Sequence, residues 1–225
     1  VGNFENVGLA TEGNEGLYNI YMMEEVHSIF AAGAGAVAGL TKSATAAFGE
    51  YEQLVGGVDT LFGDASSKVQ ENAAKAFATA GMSANEYMSN VTAFSASLLQ
   101  SLGGDTAKAA DVADMAMRDM SDNANKMGSD LETLKTAYAG FSKQNYTMLD
   151  NLKLGYGGTK TEMQRLIQDA SKMTDIQEKL GVTVDGSSMS FANIVNAIHV
   201  MQEEMGIAGT TAQEASSTIS GSIGM

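Results

Sequence analysis

The chain is 225 residues long, enough to bury a substantial core, and contains no proline, cysteine or tryptophan. No ring clash therefore breaks a helix, and neither a disulfide framework nor a thiolate metal site can form. The 13 basic against 27 acidic residues give a net charge of −14, which argues against nucleic-acid phosphates or an anionic membrane surface as partners.

Residues 1–16, VGNFENVGLATEGNEG, are rich in glycine and asparagine and show no period, so they read as a loose lead-in. The chain opens on Val1 without a signal-peptide pattern and is expected to be a segment or processed product of a longer one. A helix through EEVHSIF is followed by Ala31–Leu40, an apolar run of ten residues, short of the ~20 that span a bilayer. Gly35 and Gly39 in this run form a small-xxx-small pattern that lets two helix backbones approach. They are candidates for helix self-association, beside the plainer reading of a tightly packed helix or hinge. His27, alone before the run, reads as a helix residue and not as a ligand or base.

From Ala46 onward the text becomes regular. Phe48, Tyr51, Leu54 or Val55, Val58 and Phe62 fall near helical spacing, with Gly56-Gly57 as a weak point. Asp64 is expected to open a helix carrying Val69, Ala73, Phe77 and Ala80 and stopping at Gly81. Ser83-Ala-Asn-Glu86 has the form of a capping box, in which the Ser oxygen takes an orphan N–H and the Glu reaches back. Its helix carries Tyr87, Val91, Phe94, Leu98 and Leu102 on one face. Asp105 caps the next, with Val112, Ala116, Met120 and Met127 as its stripe and Gly128 as its stop. Ser129–Glu132, Thr159–Glu162 and Thr211–Glu214 repeat the capping-box pattern. The polar faces (Lys75, Asn90, Asp111, Arg118, Asp119, Asn123) are expected in solvent.

The stretch 137–167 stands apart. It begins as a helix, loses its period at Lys143-Gln144-Asn145 and runs into Gly155, Gly157 and Gly158 before a new helix at Thr159. Met163, Leu166, Ile167 and Ala170 form the next stripe, and Val182-Thr-Val184 is a candidate short extended piece closed by Asp185-Gly186. Ser190 caps a last strong helix with Phe191, Ile194, Ile198, Met201 and Met205 on one side. The tail starts as a helix and is expected to continue past Met225. The sum is an all-α array of about eight to nine helices with short Gly/Ser/Thr turns and at most one very short extended segment. The domains are a lead-in and small-residue helix over 1–45 and a helical domain over 46–225. The 15 methionines suit irregular helix packing.

Chemistry is scarce. A nucleotide loop needs Gly directly before Lys and Ser or Thr; here Thr159 separates Gly158 from Lys160, and no apolar strand precedes it. A structural turn with glycines at positive φ fits better. His199 with Glu203 and Glu204 reads as helix surface, and Asp111/Asp114 and Asp119/Asp122 as solvent-facing carboxylates without a cleft. No catalytic residue, cofactor or metal site is assigned.

The stretches FGEYEQLVGGVDTLFGDAS (48–66), SKQNYTMLDNLKLGYGGTKTEMQRLI (142–167) and NAIHVMQEEMGIAGTTAQEASSTISGSIGM (196–225) resemble the tail tape measure proteins of long, non-contractile-tailed bacteriophages and related prophages. The resemblance spans about 46–225 and is most specific in NYTMLDNLKLGYGGTK and TAQEASSTISGSIGM. It implies a structural component of the virion tail, acting in tail assembly, length determination and genome ejection. The implied partners are tail-tube, tail-tip and tail-assembly chaperone proteins and further copies of the chain, a trimer among the options. The implied places are the host cytoplasm during assembly, the tube lumen in the virion and the host envelope at ejection. No catalytic residue carries over; Asn145, Leu149, Leu152, Gly155, Gly157 and Gly158 become candidates for a fixed helix crossing or contact patch. A membrane-active ejection module inserting residues 29–40, with membrane contact at infection, is the second reading. A peptidoglycan hydrolase is the third, disfavoured by the missing cleft carboxylates and zinc pattern.

Overall fold

The computed structural model describes residues 37–223, with side chains from 49 to 217. The fold is all-α, with nine α-helices, two 3-10 turns and no strand among the described residues. Helix α1 spans Val37–Phe62, followed by α2 (Ser66–Ala80), α3 (Ala84–Ser101), α4 (Thr106–Met127) and α5 (Leu131–Phe141). An irregular connection then leads to α6 (Lys160–Ser171), α7 (Thr174–Leu180), α8 (Phe191–Glu204) and α9 (Thr210–Ile223). The chain divides into two units, residues 1–52 and 53–225, and the helical body belongs to the second.

Glycine stops and polar caps place most of the helix ends. Gly81, Gly128 and Gly181 close α2, α4 and α7 in the left-handed conformation, which lacks the Cβ penalty other residues would bear. Ser83, Asp105 and Thr159 accept the backbone N–H three residues on, from Glu86, Lys108 and Glu162. Other expected boundaries move. Asp64 lies in the 3-10 turn Gly63–Ala65 and caps nothing. Asp130, not Ser129, caps α5, because its shorter reach to Thr133 N–H (2.8 Å) frees Ser129 to donate to the Asn151 carbonyl. Gly56-Gly57 does not interrupt α1; beyond it Val58 and Phe62 are fully buried and hold the helix in register. Val182–Val184 is not a strand. Its backbone is held by side chains instead: the Val184 N–H donates to Gln177, and the Asn196 amide donates to the Thr183 carbonyl.

Helix α4 is the axis of the body. It packs against α2, α3, α5, α8 and α9, so its buried residues run round the helix and are not confined to one stripe. Ala109, Ala110, Ala113 and Ala116 allow these close approaches, and Met117 and Met120 fill the gaps. The expected stripes of α3, α6 and α8 are buried as read, except that Leu102 is partly exposed and Met205 exposed. On α2 the buried line runs Val69, Ala73, Ala76, Ala80, which leaves Phe77 one residue off the face and 55% exposed.

Candidate functional site

Two neighbouring features concentrate the unusual geometry: the connection from α5 to α6, and a polar seam along α4. The connection begins as α5 unwinds. Gly140 accepts from the backbone N–H groups of both Lys143 and Asn145, and Gln144 takes φ +61°. A Cβ on Gly140 would lie 3.0 Å from the Asn145 carbonyl oxygen, so a side chain there is crowded by backbone. Asn145 is exposed, and its Oδ1 accepts from the Thr147 N–H and hydroxyl, an Asx turn. Tyr146 then stacks on Phe141 at 6.4 Å between ring centres.

The 3-10 turn Leu149–Leu152 follows, and both leucines are fully buried. Lys153, at φ +55°, sends its ammonium to the Met127 and Gly128 carbonyls (2.8 and 3.3 Å). Those groups end α4, where a cation is favoured and carbonyls lack helical partners.

Of the three clustered glycines only Gly155 has positive φ, +85°. Gly158 serves a different need. A Cβ there would sit 2.2 Å from the Thr147 carbonyl oxygen and 2.8 Å from its carbon, so two strands of backbone cross where only glycine fits. Gly157 is unconstrained by space, the nearest atom to its would-be Cβ being Glu162 Cγ at 3.6 Å.

The loop is then locked onto α6. Glu162 accepts from the Gly157 N–H, and Arg165 donates to both Glu162 oxygens and to the Gly155 carbonyl. The Arg165 guanidinium lies 4.2 Å from the centre of the Tyr156 ring, whose hydroxyl donates to Asp169. Burial, with this bond to a carboxylate, pushes the Tyr156 phenol up to about 12. Three backbone donors around the start of α6 are engaged within the loop. The N–H groups of Gly157, Thr159 and Glu162 go to Glu162 Oε2, the Gly157 carbonyl and Thr159 Oγ1.

The polar seam corrects four expectations: the two carboxylates, His199, Asn123 and the Thr211–Glu214 cap. Asp119 and Asp122 do not face solvent: they are 1% and 4% exposed, because α4 is covered on both flanks. His199 is not helix surface either; its Nδ1 lies 2.6 Å from Asp119 Oδ1 across the α4–α8 interface. Asn123 is fully buried and donates to the Leu152 carbonyl, tying the seam to the connection. One turn from Asp119, Asp122 accepts from the Gly209 and Thr211 N–H groups (2.6 and 2.8 Å) and so caps α9 from another helix. The expected capping box at Thr211–Glu214 is therefore absent; α9 already starts at Thr210. Ser121 donates to the Ala80 carbonyl, and Asn125 donates to Glu214.

Within the seam several buried atoms meet no protein partner: Asp119 Oδ2, Asn123 Oδ1, Tyr138 Oη and both amide atoms of Gln202. Burial raises the Asp119 carboxyl against the opposing pull of His199. For His199 burial lowers the imidazole, but the bond to Asp119 and its charge outweigh this and raise it. Sequence reasoning missed the seam. The available signal was Asp119, Asp122 and Asn123 sharing a helix with Ala116, Met117 and Met120, and His199 flanked by Ile198 and Val200.

The remaining candidates separate. Asp111 pairs with Lys68, and Asp114 accepts from Tyr87 and pairs with Arg118. Gly39 falls in the first turn of α1, while Gly35, His27 and residues 29–36 of the apolar run lie outside the described residues. Among the described residues no helix is long and apolar enough to cross a membrane, and no three His, Cys, Asp or Glu gather as metal ligands. No family model matches the chain, nor does any curated protein or solved structure.

Proposed function

We propose that the chain is a structural segment of a phage tail tape measure protein. It would act by helix-mediated contacts with further copies of itself and with tail-tube, tail-tip and tail-assembly chaperone proteins, and would catalyse nothing. The observation that carries this reading is the stretch 142–167, whose sequence resembles that family. Its most specific residues are spent on internal geometry: Gly158 on a backbone crossing, Leu149 and Leu152 on the core, Gly155 on a left-handed turn. A segment under that demand presents a defined surface, and Asn145, Lys143 and Gln144 stand exposed on it. The net charge of −14 calls for basic or neutral partner surfaces.

The test is co-expression with the tail-tube, tail-tip and chaperone proteins encoded beside it. The reading expects at least one of them to co-purify with the chain, and no clearing of peptidoglycan in a zymogram. A clear lytic band, or no association with any of the three, contradicts it.

A further inference from the structure

We propose that the Asp119–His199 pair is a proton-operated latch that holds α8, and α9 behind it, against α4. The inference rests on the geometry of the seam and not on the tail assignment. The two side chains form the only described ion pair between α4 and α8, at 2.6 Å and with 1% and 13% of their side chains exposed. Around them the interface is weakly bonded: Asp119 Oδ2, Asn123 Oδ1, Tyr138 Oη and both polar atoms of Gln202 find no protein partner. An interface of this kind depends on its charge balance more than one packed by leucines does.

The consequence reaches α9 because the same turn of α4 serves both helices. Asp122, three residues past Asp119, receives the two N–H groups at the start of α9. No side chain from Thr210 to Ser217 is buried, so polar bonds hold the start of this helix. The link from α8 runs through Gly206 and Gly209, both at positive φ, with Ile207 as its buried anchor.

The charges around the pair set the sign. Arg118 and Asp119 act on the ring from α4, and Glu203 acts from its own helix, paired in turn with Lys179 of α7. Asp122 of α4 acts on the Asp119 carboxylate, and Tyr138 of α5 feels the Asp119 charge. From α3, Tyr87 holds Asp114, which pairs with Arg118; from α6, Asp169 holds the Tyr156 hydroxyl beside Met201. With His199 protonated the pair is neutral overall. Once the imidazole loses its proton, a buried carboxylate is left with half its bonding unmet and Asp122 nearby. The folded imidazole holds its proton more tightly than the free one. The latch is therefore fully closed below 6.5, the free value, and weakens as pH rises through the folded value.

Amide hydrogen exchange on the whole chain at pH 6.0 and pH 8.5, corrected for intrinsic rates, tests this. The latch expects protection of residues 191–217 to fall relative to 160–171. Within the titration window the opening constant should rise about tenfold per pH unit, a one-proton slope. Equal behaviour of all helices, or no change in 191–217, overturns it. The double variant Asp119→Asn/His199→Gln should abolish the difference between the two pH values; an unchanged difference in a helical double variant also overturns it. If that variant does not fold, the wild-type comparison decides alone.

Discussion

Replacing Gly158 by alanine isolates the backbone crossing. The added Cβ would lie 2.2 Å from the Thr147 carbonyl oxygen and 3.2 Å from its Cα. Neither atom can rotate away, so the connection must shift bodily, against Leu149 and Leu152 packed in the core on one side and the Thr159 cap on the other. Overpacking of this kind costs about 1–3 kcal/mol, and the upper end applies where both contacting groups are backbone. For a body of this size that lowers Tm by roughly 2–12 °C. Its neighbours act as internal controls. Gly155→Ala meets no atom but keeps φ +85°, so it should lose about 1 kcal/mol to left-handed strain. Gly157→Ala meets only ordinary contact at 3.6 Å and should be neutral, or stabilising by about 0.5 kcal/mol through the unfolded chain. Urea melts followed by circular dichroism give the three midpoints. The order 158, 155, 157 from most to least damaging is expected; equal effects at 158 and 157 would refute the crossing as the reason for the glycine.

Four further outcomes follow from the same geometry. Asp122→Ala should cost about 2 kcal/mol, as a lost buried cap does, and exchange should show α9 fraying while α5 and α6 stay protected. Lys153→Ala should lose roughly 0.5–1 kcal/mol with the carbonyl cap of α4, while Lys153→Gly recovers much of it by relieving φ +55°; a melt in which glycine is worse than alanine contradicts this. Phe77→Ser should change stability by less than about 0.5 kcal/mol because the ring is 55% exposed; a loss of several kcal/mol in urea would mean a contact the fold does not contain. The cap carboxylates Asp105 and Asp130 are held low by the N–H groups of Lys108 and Thr133. Their contribution is thus present above 3.8 and is lost as pH falls through the folded values, so urea midpoints should drop as pH falls below 3.8, less so in Asp130→Asn.

Much of the fold was legible because its punctuation is local. A glycine after a periodic run, or a Ser, Thr or Asp before one, acts within a single turn, which is why Gly81, Ser83, Asp105, Gly128 and Thr159 all fall where expected. The errors come from non-local bonds. α9 is capped by Asp122 from 87 and 89 residues away, and the first N–H of α8 goes to Ser101, 90 residues upstream, while Ser190 contributes no side-chain cap. The face reading of α4 failed for a related reason: periodicity finds one buried side, and this helix has several neighbours. In the connection, loss of period and the glycine cluster marked the place correctly. Which glycine was needed for φ and which for space depends on where Thr147 passes, and spacing does not encode that.

The proposed tail role implies a place inside the tail tube, and protease protection of intact particles tests that most directly. Purified tails from the genome that encodes the chain would be treated with protease before and after triggered ejection, and followed with an antibody to residues 142–167. Protection in the intact particle and cleavage after ejection is the expected result. A chain digested equally in both, or missing from the tails, contradicts the account.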